Sequence, residues 1–236
     1  CTSNLAGIFS AFPEGCQIPL REWTNDSLKF LVRNFGHIFD SLSDLMLLVL
    51  RQVELSLLAV PWWSVIVVIT VISWLASRSR LLTVSLGAAL IFIGMVDLWE
   101  ETMRTLSMLL MATGLTMIMG IPVGILMATN RWVRSLVNPV LDAMQTVPSF
   151  VYLVPFIYFF GLGNVAATFA IFVFAVPPII RLTNLGIRLV DNSVVEAANA
   201  FGATGRQILW GVRMPLAMPN IMAGVNQTIM LALSMV

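Results

Sequence analysis

Few residues in this sequence can do chemistry, and their spacing excludes most of it. A phosphate-binding loop needs Gly-Lys-Ser/Thr, so that the lysine reaches the phosphates. Lys29 is the only lysine and it follows Leu28, so the sequence holds no such loop. His37 is the sole histidine and has no companions at metal-ligand spacing. Cys1 and Cys16 are not close to it in sequence, which argues against a Cys/His nucleophile. Whether the two cysteines pair stays open on their count alone. GLGNVA at 161–166 has the spacing of a dinucleotide fingerprint, but that fingerprint must follow a strand and open a helix. Here it joins two apolar stretches and reads as a tight turn. The matches NDS and NQT to the glycosylation pattern are too short to weigh. The expectation is a chain that is not an enzyme and that binds no metal or cofactor of its own.

One patterned polar segment remains, EAANAFGATGRQILWGVRMP at 196–215, between two long apolar stretches. Glu196, Ala197, Ala198 and Ala200 favour helix. Gly202 and Gly205 permit a turn, and Pro215 and Pro219 restart the chain toward the next apolar stretch. Ala198 and Gly202 are four apart and are expected to share one nearly flat helical face. Such a face suits docking in a groove of another protein. A simple amphipathic linker is the alternative, and the residues alone leave the two level.

The elements that must position this segment are membrane helices. The chain is 58% hydrophobic and 11% charged, with mean hydropathy +0.92, against about 25% charged residues in a soluble domain. Its net charge of +1 and lack of a basic run give no reason to expect nucleic acid. Crossing a bilayer takes about 20 mostly apolar residues. Six spans are expected near 60–76, 81–96, 104–128, 145–162, 165–185 and 217–236. Arg78 and Arg80 follow the first, Arg131 and Arg134 the third, and Arg181, Arg188, Arg206 and Arg213 lie at or beyond the end of the fifth. Arginine excess marks cytoplasmic loops. The first, third and fifth spans therefore run inward, the N-terminus is outside and the 196–215 loop is cytoplasmic. The start at Cys1 rather than Met reads as trimmed or processed, and no signal peptide is visible.

Before the first span, Leu28, Leu31, Phe35, Ile38, Phe39, Leu42, Leu45, Met46, Val49 and Val53 recur at helical spacing. Arg33, His37, Asp40, Asp44 and Arg51 fall largely on the other side. This predicts an amphipathic helix on the outer membrane surface or along the bundle. Within the spans, Gly114, Gly120, Pro122 and Gly124, then Pro148 and Pro155, then Pro177 and Pro178, are expected weak points. They suit a protein that rocks between two states, and equally the ordinary Pro and Gly enrichment of membrane helices. GIPVG at 120–124 is also a Gly-xxx-Gly, which lets another backbone approach.

The 196–215 segment resembles the EAA motif of permease subunits of binding-protein-dependent ABC importers: EAA, three residues, Gly, nine residues, Ile, one residue, Leu-Pro. Glu196, Ala197, Ala198, Gly202 and Pro215 match in register, with Val212 for Ile and Met214 for Leu. The runs at 138–164, 177–187 and 215–236 resemble the glycine betaine/proline betaine branch of that family, and the similarity is clear over about 101–236. The resemblance implies an all-α, polytopic transmembrane bundle with three regions. These are an extracytoplasmic segment over 1–59, N-terminal transmembrane helices over 60–100 and a permease core over 101–236. It implies a homodimer in the bacterial inner membrane, with a substrate-binding protein and a separate ATPase subunit that holds ATP and Mg. The EAA loop would dock on that ATPase, with Glu196 and Arg206 making polar contacts. The chain stops at Val236 inside an apolar stretch begun near Leu216, where the family continues, so a truncated permease is expected. Phe150, Tyr152, Phe156, Tyr158, Phe159 and Phe160 offer aromatic faces for a quaternary ammonium. They point in several directions around a helix, so most are expected to pack or face lipid, and the substrate pathway is left unassigned.

Overall fold

A computed structural model describes residues 20–236. Cys1 and Cys16 lie outside the described residues, as does the side chain of Lys29. The chain divides into two units, Cys1–Leu42 and Ser43–Val236. The described residues are helical and contain no strand, which is the all-α class expected. The helices are α1 Leu20–Ala59, α2 Trp62–Ser77, α3 Arg80–Met95, α4 Trp99–Thr129, α5 Arg131–Thr146, α6 Ser149–Phe160, α7 Asn164–Arg188, α8 Asn192–Ala200 and α9 Gly205–Ile208. A π-helical turn, Leu209–Arg213, then joins α9 to α10, Met214–Met235.

In the first unit, His37 is exposed and its carbonyl accepts a 2.8 Å hydrogen bond from Ser41. Among the described residues no group of three metal-ligating side chains forms. In the second unit, Met46 of the expected apolar face of α1 is buried, while Leu45 of that face is exposed; Leu50, not among the residues expected there, is buried as well.

Helix α7 is the centre of the second unit, and small residues let its neighbours reach it. A Cβ on Gly120 of α4 would fall 2.4 Å from Cγ2 of Ile179, and one on Gly124 would fall 2.6 Å from Cβ of Thr183 and 2.9 Å from the Ile180 carbonyl oxygen. The Gly-xxx-Gly spacing thus brings the α4 and α7 backbones together. On another side, a Cβ on Gly186 would lie 2.7 Å from Asn220 of α10. Thr228 of α10 donates a buried 3.2 Å hydrogen bond to the Ala175 carbonyl of α7. Met127, Leu141, Ile179, Ile180, Ile187, Ala217 and Ile221 close the core among α4, α5, α7 and α10.

Among the described residues, three helical runs are long and apolar enough to cross a membrane: Trp99–Thr129, Asn164–Arg188 and Gly205–Met235. Up to five spans result if two bent pairs, Gly36–Ala59 with Trp62–Ser77 and Arg131–Thr146 with Ser149–Phe160, each count as one. Several expectations about the spans need correction. The first two, placed at 60–76 and 81–96, are helices of 16 residues each: α2 is one limb of a pair bent by 90°, and α3 is a shorter apolar helix outside the three runs. The fourth, placed at 145–162, is not one straight helix. α6 has 12 residues, about 18 Å at 1.5 Å per residue, which is too short for a core of about 30 Å. It is the second limb of a pair bent by 101°. The bend follows from Pro148, whose ring disfavours helix at the residue before it, and Val147 is extended at φ −81°, ψ 130°. The Tyr152 hydroxyl then ties the limbs together by donating to the Met144 carbonyl.

The last span begins at Gly205 rather than near 217. The expected weak points Pro122, Pro155, Pro177 and Pro178 lie inside continuous helices, where each removes one backbone donor.

Candidate functional site

The expected site residues fall in the connection from α7 to α10, except Pro215, which lies in the first turn of α10. Asp191 caps α8 by accepting a 2.9 Å hydrogen bond from the Ser193 amide. That backbone bond, with a further one from the Ser193 side chain, holds the Asp191 carboxyl below the usual carboxylate range. Glu196 and Ala197 follow on α8 and are exposed, and Ala198 is half-buried.

Helix α8 ends at Ala200, and Gly202 has φ +80°. The Gly202 amide donates to the Asn199 carbonyl at 2.9 Å, and the Ala203 amide to the Ala198 carbonyl at 3.1 Å. These two bonds are those of a Schellman motif with Gly202 as its left-handed residue. The expectation that Ala198 and Gly202 share one helical face is therefore corrected. Gly202 lies beyond the helix end, and a left-handed residue does not continue helical spacing. Its lack of a Cβ serves the turn, since a Cβ there would meet nothing within 4 Å.

The turn hands the chain to a new helix at once. Thr204 and Gln207 form a capping box: the Gln207 side chain accepts from the Thr204 amide at 2.8 Å, and the Thr204 hydroxyl accepts from the Gln207 amide. Arg206 is exposed in that first turn. Pro215 and Pro219, expected to restart the chain, instead sit inside a continuous helical run. Lacking an amide hydrogen, Pro215 cannot bond the Gly211 carbonyl. The ladder slips there, and the Met214 amide reaches Leu209, five residues back.

The segment is thus a short capped helix, a left-handed turn and the start of the last span. Among the described residues neither Glu196 nor Arg206 has an ion-pair partner; the ion pairs are Arg104–Glu54, Arg104–Glu101 and Arg181–Asp142. The reading of the sequence missed Phe201, which is 93% exposed at the tip of the turn. An aromatic residue directly before the turn glycine was the available signal. It also missed Asp191 and Thr204, although DNS and TGRQ are legible caps.

The aromatic residues of the bent pair divide, as expected, between packing and exposure. Phe156, Phe160 and Phe169 stack, with centroids 4.7 to 6.2 Å apart. Tyr152 lies against Phe174 at 6.1 Å. Phe150 and Tyr158 are exposed.

Comparison with known proteins places this arrangement. The sequence profile of the family described as binding-protein-dependent transport system inner membrane component matches residues 120–236. The chain is 42% identical over 219 residues to the glycine betaine/proline betaine transport system permease protein ProW of Escherichia coli (strain K12), covering 93% of this chain and 62% of that protein. It is 43% identical over 178 residues to the glycine betaine/carnitine transport permease protein GbuB of Listeria monocytogenes serotype 1/2a (strain 10403S), covering 75% of this chain and 63% of that one. Over 221 residues it is 36% identical to the glycine betaine transport system permease protein OpuAB of Bacillus subtilis (strain 168), covering 93% and 78%. The chain therefore spans less than two thirds of the length of the first two relatives.

Proposed function

This chain belongs to the family of binding-protein-dependent inner membrane permeases of the glycine betaine type, and from that premise we propose that it is the transport subunit of an ATP-driven importer. The solutes are glycine betaine or proline betaine, delivered by a substrate-binding protein. The observation that carries the substrate class is the 42% identity over 93% of the chain to a permease of that name. A carnitine-carrying importer is the second reading, favoured by the name of the relative that is 43% identical.

The partners follow from the same premise. ATP and Mg are bound by a separate ATPase subunit, and the membrane pathway is completed by a second permease copy. The complex sits in the bacterial inner membrane with the N-terminus of this chain outside. Glu196, Ala197, Ala198, Gly202, Arg206 and Pro215 form the coupling element against the ATPase. Support comes from the capped, exposed α8 and its turn, which offer Phe201, Glu196 and Arg206 without partners of their own among the described residues. An exposed apolar tip between two unpaired charges suits a protein groove better than lipid, where charge is costly.

Vesicles holding the permease, its ATPase and its binding protein are expected to accumulate labelled glycine betaine when ATP is supplied. Clear uptake of an unrelated solute without betaine uptake would reject the substrate and keep the importer.

A further inference from the structure

Helices α2, α3 and α4 meet around a cavity of about 410 Å³ at the start of α2, the end of α3 and the start of α4. That volume is within the usual range for small-molecule sites. Its walls combine two indoles, Trp62 and Trp99, with two carboxylates, Asp97 and Glu100, and with apolar side chains such as Ile66 and Ile91.

The charges are uncompensated. Arg104, the nearest cation in sequence, commits its guanidinium to Glu54 and Glu101, at 3.4 and 3.3 Å. Neither Asp97 nor Glu100 belongs to an ion pair among the described residues. Neither indole is stacked on another ring among those residues.

Two exposed carboxylates without ion-pair partners, beside two indoles and an apolar wall, make a specific demand. A strongly hydrated ammonium satisfies the carboxylates but not the wall. An apolar ligand satisfies the wall but not the charge. A methylated ammonium meets both, because its charge is spread over methyl groups that lie on an indole face through cation–π attraction. We infer that this cavity binds a quaternary ammonium group that carries no carboxylate of its own nearby. The carboxylate of a betaine would face Asp97 and Glu100, so the site discriminates against the zwitterion proposed as cargo. It stands on its own lining and does not depend on the substrate reading. The group comes either from a free choline-like solute or from a lipid headgroup.

The test is calorimetric titration of the purified permease in detergent with tetramethylammonium chloride, at constant ionic strength. Saturable binding is expected, with glycine betaine and n-butylammonium each at least about 10-fold weaker. Trp62→Leu should weaken tetramethylammonium about 10-fold. Trp62 is 61% exposed, so its loss leaves the core intact. Asp97→Asn should weaken it about 3-fold or more, since its charge is lost while asparagine still suits the left-handed backbone at φ +60°. Repeating the titration in nanodiscs of choline-headgroup lipid and of phosphatidylglycerol separates the sources. Suppression by the choline lipid alone assigns a headgroup, and equal binding in both assigns a free solute. Absence of saturable binding, equal binding of n-butylammonium or betaine, or unchanged affinity in both variants overturns the site.

Discussion

Gly202 shows how one residue's role changes when its backbone is known. Its φ of +80° makes the position a turn requirement, not a flat docking surface. Alanine in a left-handed conformation costs about 1–2 kcal/mol, and asparagine is tolerated better. Gly202→Asn is therefore expected to retain most betaine uptake, and Gly202→Val to lose it together with ATPase association. Uptake and co-purification of the ATPase measure this, after insertion has been verified. Equal activity of the two variants would show that the turn is dispensable.

Asp191 gives a pH prediction at the same scale. Its carboxyl titrates lower in the folded chain because the charged form accepts the Ser193 amide. Its contribution is present above the unfolded value, about 3.9, and is lost as pH falls through the lowered folded value. Amide protection in α8 should thus fall below about pH 4. In Asp191→Asn, which still caps, that dependence should disappear. Protection equally pH-dependent in the variant would reject the cap as its cause.

Between elements, the α4–α7 contact is set by Gly120 and Gly124. Overpacking a close contact costs about 1–3 kcal/mol. Gly124→Leu must displace the Ile180 backbone as well as Thr183, so it should lower the unfolding midpoint in detergent. Gly114→Leu, where nothing lies within 4 Å, should leave the midpoint unchanged. Equal effects at the two positions would remove the helix contact as the explanation. The Gly-xxx-Gly was legible in the sequence because its spacing is local. The bend between α5 and α6 was less so. Pro148 was visible as a weak point, but proline alone does not decide between a position inside a continuous helix, as at Pro122, and a turn of 101°.

For the whole molecule, the proposed orientation makes a pattern that labelling can read. Cysteines at Ser79, Asn130 and Asn199, in a background lacking Cys1 and Cys16, should resist an impermeant thiol reagent in intact cells and react after permeabilisation. The arginine asymmetry motivates this. Labelling at Asn199 from outside would reverse the orientation. The parity now depends on α5 and α6 crossing together and on α2 and α3, of 16 residues each, crossing singly, since none of the four is an ordinary span.

By itself, the sequence determined the membrane setting, the lack of a phosphate-binding loop and the position of the 196–215 motif, and the all-α class came with the family resemblance. The first three rest on composition or on spacing along the chain, which need no knowledge of neighbours. The tertiary structure decided what spacing cannot. It showed that Gly202 ends a helix, because its left-handed backbone lets the Gly202 and Ala203 amides bond back to the Asn199 and Ala198 carbonyls. It showed that Pro122 and Pro177 lie inside continuous helices that pack against each other, because packing outweighs one lost backbone bond. It also brought Trp62 beside Asp97 and Trp99, residues about 35 positions apart that share a cavity only because α2 and α3 fold back as a hairpin onto the start of α4.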